Sequence, residues 1–184
     1  MKRETWALTA LLAFVFGAPA SAAVSVFGGA SAEACSHAAI AGKADVESIK
    51  LCDIALNYEA LGPLDRAGTL INRGVMKLRR GAFEDAHADF DAGIGLAPKV
   101  GEGWINRGAM FVGEKRYRAG LDDLNRGLVL GVKEPEKAYY NRALADEGLD
   151  DETSAYLDYE QALTLKPNWD LPRHELLRFT VTRR

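Results

Sequence analysis

A chain of 184 residues with 23 Lys and Arg against 26 Asp and Glu carries a formal charge of −3, so no excess of positive charge is present to hold nucleic acid. Hydrophobic residues make up 48% of the chain, enough for one buried core, while His37, His87 and His174 are scattered and G-x-S-x-G, H-E-x-x-H and phosphate-loop motifs are absent. These features argue against an enzyme and against a cofactor or metal, and leave a binding or structural protein as the expectation.

The first 22 residues read as an export leader. Lys2 and Arg3 precede an apolar run over residues 6–16, and two small-x-small triplets follow, Ala18-Pro19-Ala20 and Ala20-Ser21-Ala22. Cleavage within this stretch predicts a periplasmic protein, with secretion as the alternative. An uncleaved leader would instead anchor the chain in the inner membrane, its one expected contact with lipid. No cysteine follows the apolar run directly, so no lipid anchor is expected. Residues 23–32 are expected to form a flexible start to the mature chain, and residues 33–184 one helical domain.

Export changes the meaning of Cys35 and Cys52, the two cysteines of the chain. Helices predicted over 33–40 and 45–60 flank Ala41-Gly42-Lys43, and folding back as a hairpin would bring the two sulfurs together. A disulfide closing this 17-residue separation is worth about 3 kcal/mol of loop entropy if unstrained. Two buried thiols are the competing reading; no Cys-x-x-Cys pair suggests redox chemistry. Ser48, Cys52 and Ala55 have the small, wedge and small spacing of an incomplete repeat. Gly62-Pro63 then marks a stop and a turn.

Three related stretches follow: AGTLINRGVMKLRRGAFEDAHADFDAGIGLAP at 67–98, GEGWINRGAMFVGEKRYRAGLDDLNRGLVLGV at 101–132, and EKAYYNRALADEGLDDETSAYLDYEQALTLKP at 136–167. A period in this range marks units that bury their apolar faces against their neighbours. Each copy holds two helices, broken near Gly81, at residues 113–115, and before Asp150 and Asp151, which suit a helix start. Small residues recur where helices must approach: Gly74, Gly108 and Ala143 in the first helix, Ala86, Gly120 and Ala155 in the second. Leu70, Trp104 and Tyr139, and Phe90, Leu124 and Tyr159, are the apolar wedges.

These positions resemble the tetratricopeptide repeat family, whose units carry large apolar residues at repeat positions 4 and 24, small ones at 8, 20 and 27, and Pro at 32. Gly93 and Gly127 depart from the usual Ala, Val132 from the usual Pro, and Glu152 from the aromatic supplied by Phe83 and Tyr117. Glu152 is therefore expected to loosen the start of the last helix. The resemblance implies an all-α, antiparallel helix-pair solenoid: three full repeats at 67–100, 101–135 and 136–169, a partial repeat before them, and a short capping helix after them. Leu176, Leu177 and Phe179 would cover the last repeat.

It also implies that the first helix of each pair lines a concave groove. Ile71, Val75 and Arg79 would face it from the first copy, Glu102, Ile105, Ala109 and Val112 from the second, and Lys137, Tyr140 and Leu144 from the third. This largely apolar set suits a helix or an extended peptide, and lacks the Lys and Asn set that clamps a chaperone's terminal carboxylate in some relatives. The implied function is protein binding as an adaptor or assembly factor, with another exported or envelope protein as partner. Self-association, or a groove filled by the chain's own terminus, is the alternative, and a cell-envelope enzyme a more distant one. The repeated triplets Asn72-Arg73-Gly74, Asn106-Arg107-Gly108 and Asn141-Arg142-Ala143 read as structural, with Asn bonding across helices and Arg stems covering apolar surface. An arginine ladder for carboxylates is the other reading.

Overall fold

The computed structural model describes residues 22–179; the expected leader up to residue 21 and the terminal Arg183 and Arg184 lie outside them. The described residues form nine helices and no strand: α1 Ala30–Ile40, α2 Val46–Tyr58, α3 Pro63–Arg79, α4 Phe83–Leu96, α5 Gly101–Gly113, α6 Tyr117–Leu130, α7 Pro135–Glu147, α8 Glu152–Leu165 and α9 Asp170–Leu176. α1 packs on α2, α3 on α4, α5 on α6 and α7 on α8, and each pair lies against the next. Together they make a helix-pair solenoid of about four repeats closed by α9. The partial repeat is thus a complete pair.

Each antiparallel turn reverses through a left-handed residue: Gly42 at φ 78°, Gly81 at 77°, Lys115 at 61° and Asp150 at 62°. Glycine adopts that conformation without a steric cost, whereas Lys115 and Asp150 are held there by the pairs they join. Inside each pair the expected wedge meets the expected small residue. A Cβ at Gly74 would stand 2.7 Å from Cε1 of Phe90, and one at Gly108 would stand 2.9 Å from Cγ of Leu124. Phe90, Leu124 and Tyr159 are fully buried.

The start of α3 differs from expectation. Pro63 does not end a turn but opens α3, where its missing N–H is no loss, with Gly62 as the preceding cap residue. α8 begins at Glu152 despite the lost aromatic, because Asp151 accepts from the Ser154 N–H at 3.1 Å and from its hydroxyl at 2.7 Å. At the far end, Trp169, Leu171, Leu176 and Phe179 cover Tyr140 and Tyr159, while Leu177 points away and is 79% exposed.

Cys35 and Cys52 are joined as a disulfide across α1 and α2, both fully buried beside Met76. Asp45 caps α2 by accepting from the N–H and hydroxyl of Ser48, and these bonds hold its carboxyl below the usual carboxylate range. Glu59, just past α2, accepts from the N–H groups of Ser31 and Ala32 at 2.7 and 3.1 Å, satisfying the free amides at the start of α1.

Candidate functional site

Ala22, placed at the end of the leader, and residues 23–29, expected within a flexible start at 23–32, run as a strap across the first helices of the pairs. Asn72 on α3 holds the strap by its backbone: its Oδ1 accepts from the Val24 N–H and its Nδ2 donates to the Val24 carbonyl, both at 2.8 Å. The Ser36 hydroxyl on α1 donates to the same carbonyl at 2.8 Å, so both lone pairs of that oxygen are used. One repeat further, Asn106 on α5 donates from Nδ2 to the Ala22 carbonyl at 3.1 Å. The Phe27 N–H reaches Asp65 at 3.3 Å, and Lys133 donates to the Ser25 hydroxyl at 2.9 Å.

Side chains of the strap alternate as in any extended segment. Ala22 and Val26 are each 2% exposed. Gly68 makes room for the strap: a Cβ there would lie 2.8 Å from Cγ2 of Val26 and 3.0 Å from Cγ1 of Val24. The other face of the strap turns Ala23 toward the cluster around Cys35, Cys52 and Met76.

The three asparagines are equally buried and differently used. Asn141 on α7 donates to the Lys137 carbonyl of its own helix at 2.9 Å, and its Oδ1, like that of Asn106, has no hydrogen-bond partner. The expected bonding of these amides from helix to helix is therefore not what forms; two of them bind the strap instead. A helix turns about 100° per residue, so Asn72 faces the strap while Ile71 beside it faces the next helix.

That rotation displaces most of the groove set. Ile71 packs against Gly93 and Gly103, Val75 against Ala86, Phe90, Met110 and Phe111, and Ile105 against Gly127, Leu124 and Ala138. These are contacts between helices, not the wall of an open groove. Ala109 is 5% and Val112 7% exposed, and Tyr140 is sealed beneath Trp169 and Tyr159, with ring centroids 5.1 and 5.6 Å away. Burial pushes the Tyr140 phenol up to about 12, with Glu175 and Glu147 adding to the shift. Arg79 donates to the Ala39 carbonyl at 3.2 Å, tying α3 to the last turn of α1. Glu102 accepts from the Lys133 N–H at 3.3 Å, Lys137 pairs with Glu134 at 2.6 Å, and Leu144 is half-buried between α6 and α8. Of the residues that touch the strap, Gly68 lies at repeat position 2 and Asn72 and Asn106 at position 6. Asn at position 6 of every copy was the available signal.

Each arginine of the triplets binds a carboxylate of its own pair through two parallel bonds: Arg73 to Asp89, Arg107 to Asp123 and Arg142 to Asp158, at 2.6 to 2.9 Å. The remaining nitrogen reaches the preceding pair, at Asp53, Asp91 and Asn125, at 2.6 or 2.7 Å. Burial disfavours the charge on Arg73, yet Asp89 and Asp53 outweigh it and raise its pKa. Asp123 raises that of Arg107 and Asp158 that of Arg142, each against burial. The arginines do meet carboxylates, but the chain's own. Their stems also cover rings, Arg107 over Trp104 and Arg142 over Tyr139, each 5.1 Å from the centroid.

Among the described residues no group of three or more His, Cys, Asp or Glu is placed to hold a metal ion, and no helix is long and apolar enough to cross a membrane.

No family model and no curated protein matches the chain. Solved structures do. The Arabidopsis OM64 TPR domain is 21% identical with a TM-score of 0.60, over 64% of this chain and 96% of that one. The 41-end form of MamA from Desulfovibrio magneticus RS-1 is 19% identical with a TM-score of 0.63, over 82% and 84%. The second TPR domain of human RPAP3, solved with the HSP70 peptide SGPTIEEVD, is 24% identical with a TM-score of 0.58, over 64% and 97%. With its repeated helix pairs, its wedges seated on small residues and these neighbours, the chain has the tetratricopeptide-repeat fold.

Proposed function

We propose that the protein is a non-enzymatic protein-interaction module of the periplasm, an adaptor or assembly factor that receives an extended peptide on its concave face. The observation that carries this reading is the strap. Asn72 takes both backbone groups of Val24, which is recognition of a polypeptide main chain independent of its side chains, and Gly68 leaves room for the chain to lie close. The peptide held by the RPAP3 domain supports the same use of this fold. The leader's sequence and the Cys35 to Cys52 bond support an oxidising compartment outside the cytoplasm.

The strap favours a second reading as well, in which the groove serves its own chain alone. The two are separated by a photo-crosslinking residue in place of the exposed Lys133, whose ammonium lies beside Ser25. In intact cells, the first reading expects one envelope protein to be captured, and to be lost in an Asn72→Ala, Asn106→Ala double variant that still folds. Capture of this chain alone, in both forms, would establish the second.

A further inference from the structure

Position 11 of the repeat differs in charge from copy to copy. In the first it is Lys77, whose ammonium lies 2.8 Å from Asp89, the carboxylate that also holds Arg73. In the second it is Phe111, whose ring centroid lies 4.1 Å from the Arg116 guanidinium. In the third it is Asp146. That residue is only 8% exposed, and among the described residues its carboxylate makes no hydrogen bond or ion pair. It lines a cavity of about 350 Å³ between α6, α7 and α8, together with Leu121, Asn125, Arg142, Leu157 and Asp158.

The charges in this cavity do not balance. Arg142 gives its two parallel bonds to Asp158 and its remaining nitrogen to neutral Asn125, where Arg73 and Arg107 meet Asp53 and Asp91. One cation faces two carboxylates, and Asp146 is left over. A carboxylate taken out of water without a partner is unfavourable. Burial, and then Asp158, accordingly push Asp146 up to about 6, against the pull of Arg142. An ammonium beside Asp146 would supply the charge that Lys77 brings to Asp89 in the first copy. Leu121 and the 57% exposed Leu157 offer apolar walls to a methylene stem behind it.

We propose that this cavity is a second binding site, separate from the strap, which takes a lysine side chain of a protein partner. That the lysine belongs to a protein rests on the interaction-module reading above; the fit to an alkylammonium rests on the cavity alone.

The test is an NMR titration of the purified, isotope-labelled protein with Nα-acetyl-lysine N-methylamide. Saturable shifts are expected at the amides of residues 146 and 154–158, and none with the same probe acetylated on Nε. Asp146→Asn, which keeps the shape of the side chain, should weaken binding roughly tenfold or more. Leu157→Lys, at an exposed position, should supply the ammonium from the chain itself and abolish probe binding while the fold persists. Affinity should rise as pH passes upward through about 6, where Asp146 ionises. Asp158 and Asp151 favour its proton and Arg142 opposes them, while α6 brings only uncharged Leu121 and Asn125 to the cavity. No saturable shift, equal binding of the two probes, or an unchanged affinity in Asp146→Asn would overturn the site. Cadaverine binding more tightly than the lysine probe would overturn the protein partner and assign the cavity to a free diamine. Capture at Lys133 probes the strap alone, so its failure is distinguishable from failure of this titration.

Discussion

Asn72 and Arg73 are neighbours on α3, as are Asn106 and Arg107 on α5 and Asn141 and Arg142 on α7, yet the two columns behave differently. Every arginine finds the same partner, an aspartate 16 residues on, in the second helix of its own pair. The asparagines find three arrangements: a main-chain clamp at Val24, a single bond at Ala22, and a carbonyl of the same helix. The arginine's partner belongs to the repeat and is copied with it. The asparagine's partner, where it lies beyond its own helix, comes from a strap that is present once. Repetition in a solenoid therefore guarantees a contact only when both members repeat.

The largest expected effect tests the copied column. Asp123→Ala leaves the Arg107 guanidinium without its two-bond partner in a site where the two side chains are 19% and 8% exposed. Removing one member of such a pair should cost about 3 kcal/mol, read from denaturant midpoints. A loss under about 1 kcal/mol would make this column no stronger than surface ion pairs. Next comes the packing that sets the pairs' spacing. Gly108→Leu should cost about 2 kcal/mol or more, because even a Cβ there lies 3.0 Å from the Gly120 carbonyl oxygen, and that backbone cannot rotate away. Unchanged thermal and denaturant midpoints would reject this close approach.

The asparagine column should respond unevenly. Asn72→Ala breaks both bonds to Val24 and should cost about 1–2 kcal/mol, with hydrogen exchange rising over residues 22–29. Asn141→Ala, which removes an already unpaired Oδ1, should cost less. Equal losses at both positions would show that the strap is not what Asn72 serves.

The smallest effect is a pH dependence on the arginine side. Asp146 on α7 is pushed up to about 6 by burial and by Asp158, with Arg142 opposing. Since the folded chain binds this proton more tightly than the unfolded chain, stability should fall as pH rises from about 4 to about 6. Asp146→Asn should remove that part of the profile and raise stability at neutral pH relative to the parent. Parallel profiles for the two chains would rule the contribution out.

Much of the fold was legible because helix-pair packing is written locally. The repeat period, the seat of Phe90 on Gly74 and of Leu124 on Gly108, and the buried small and wedge positions Ser48, Cys52 and Ala55 all follow from spacing along single helices, although the pair holding these last three is complete, not partial. The spacing of arginine and aspartate was equally present in all three copies, though it is visible only when residues of the two helices are compared across a turn. The candidate site was less legible. Assigning Ile71 and Ile105 to a groove placed them one residue, and so about 100°, away from Asn72 and Asn106, which face the strap. Apolar character could not correct this, because a contact between helices and a contact with a bound peptide both favour it.

The sequence by itself determined the helix pairs, their order, and the arginine column, since each depends on residues that recur at fixed separations within one unit. Only the tertiary structure decided that residues 22–27 lie across the first helices of the pairs. Those contacts join positions 48 and 84 apart, outside any repeat. They are also made largely through the backbone, which carries the same donor and acceptor whatever the side chain and so leaves no pattern in the sequence.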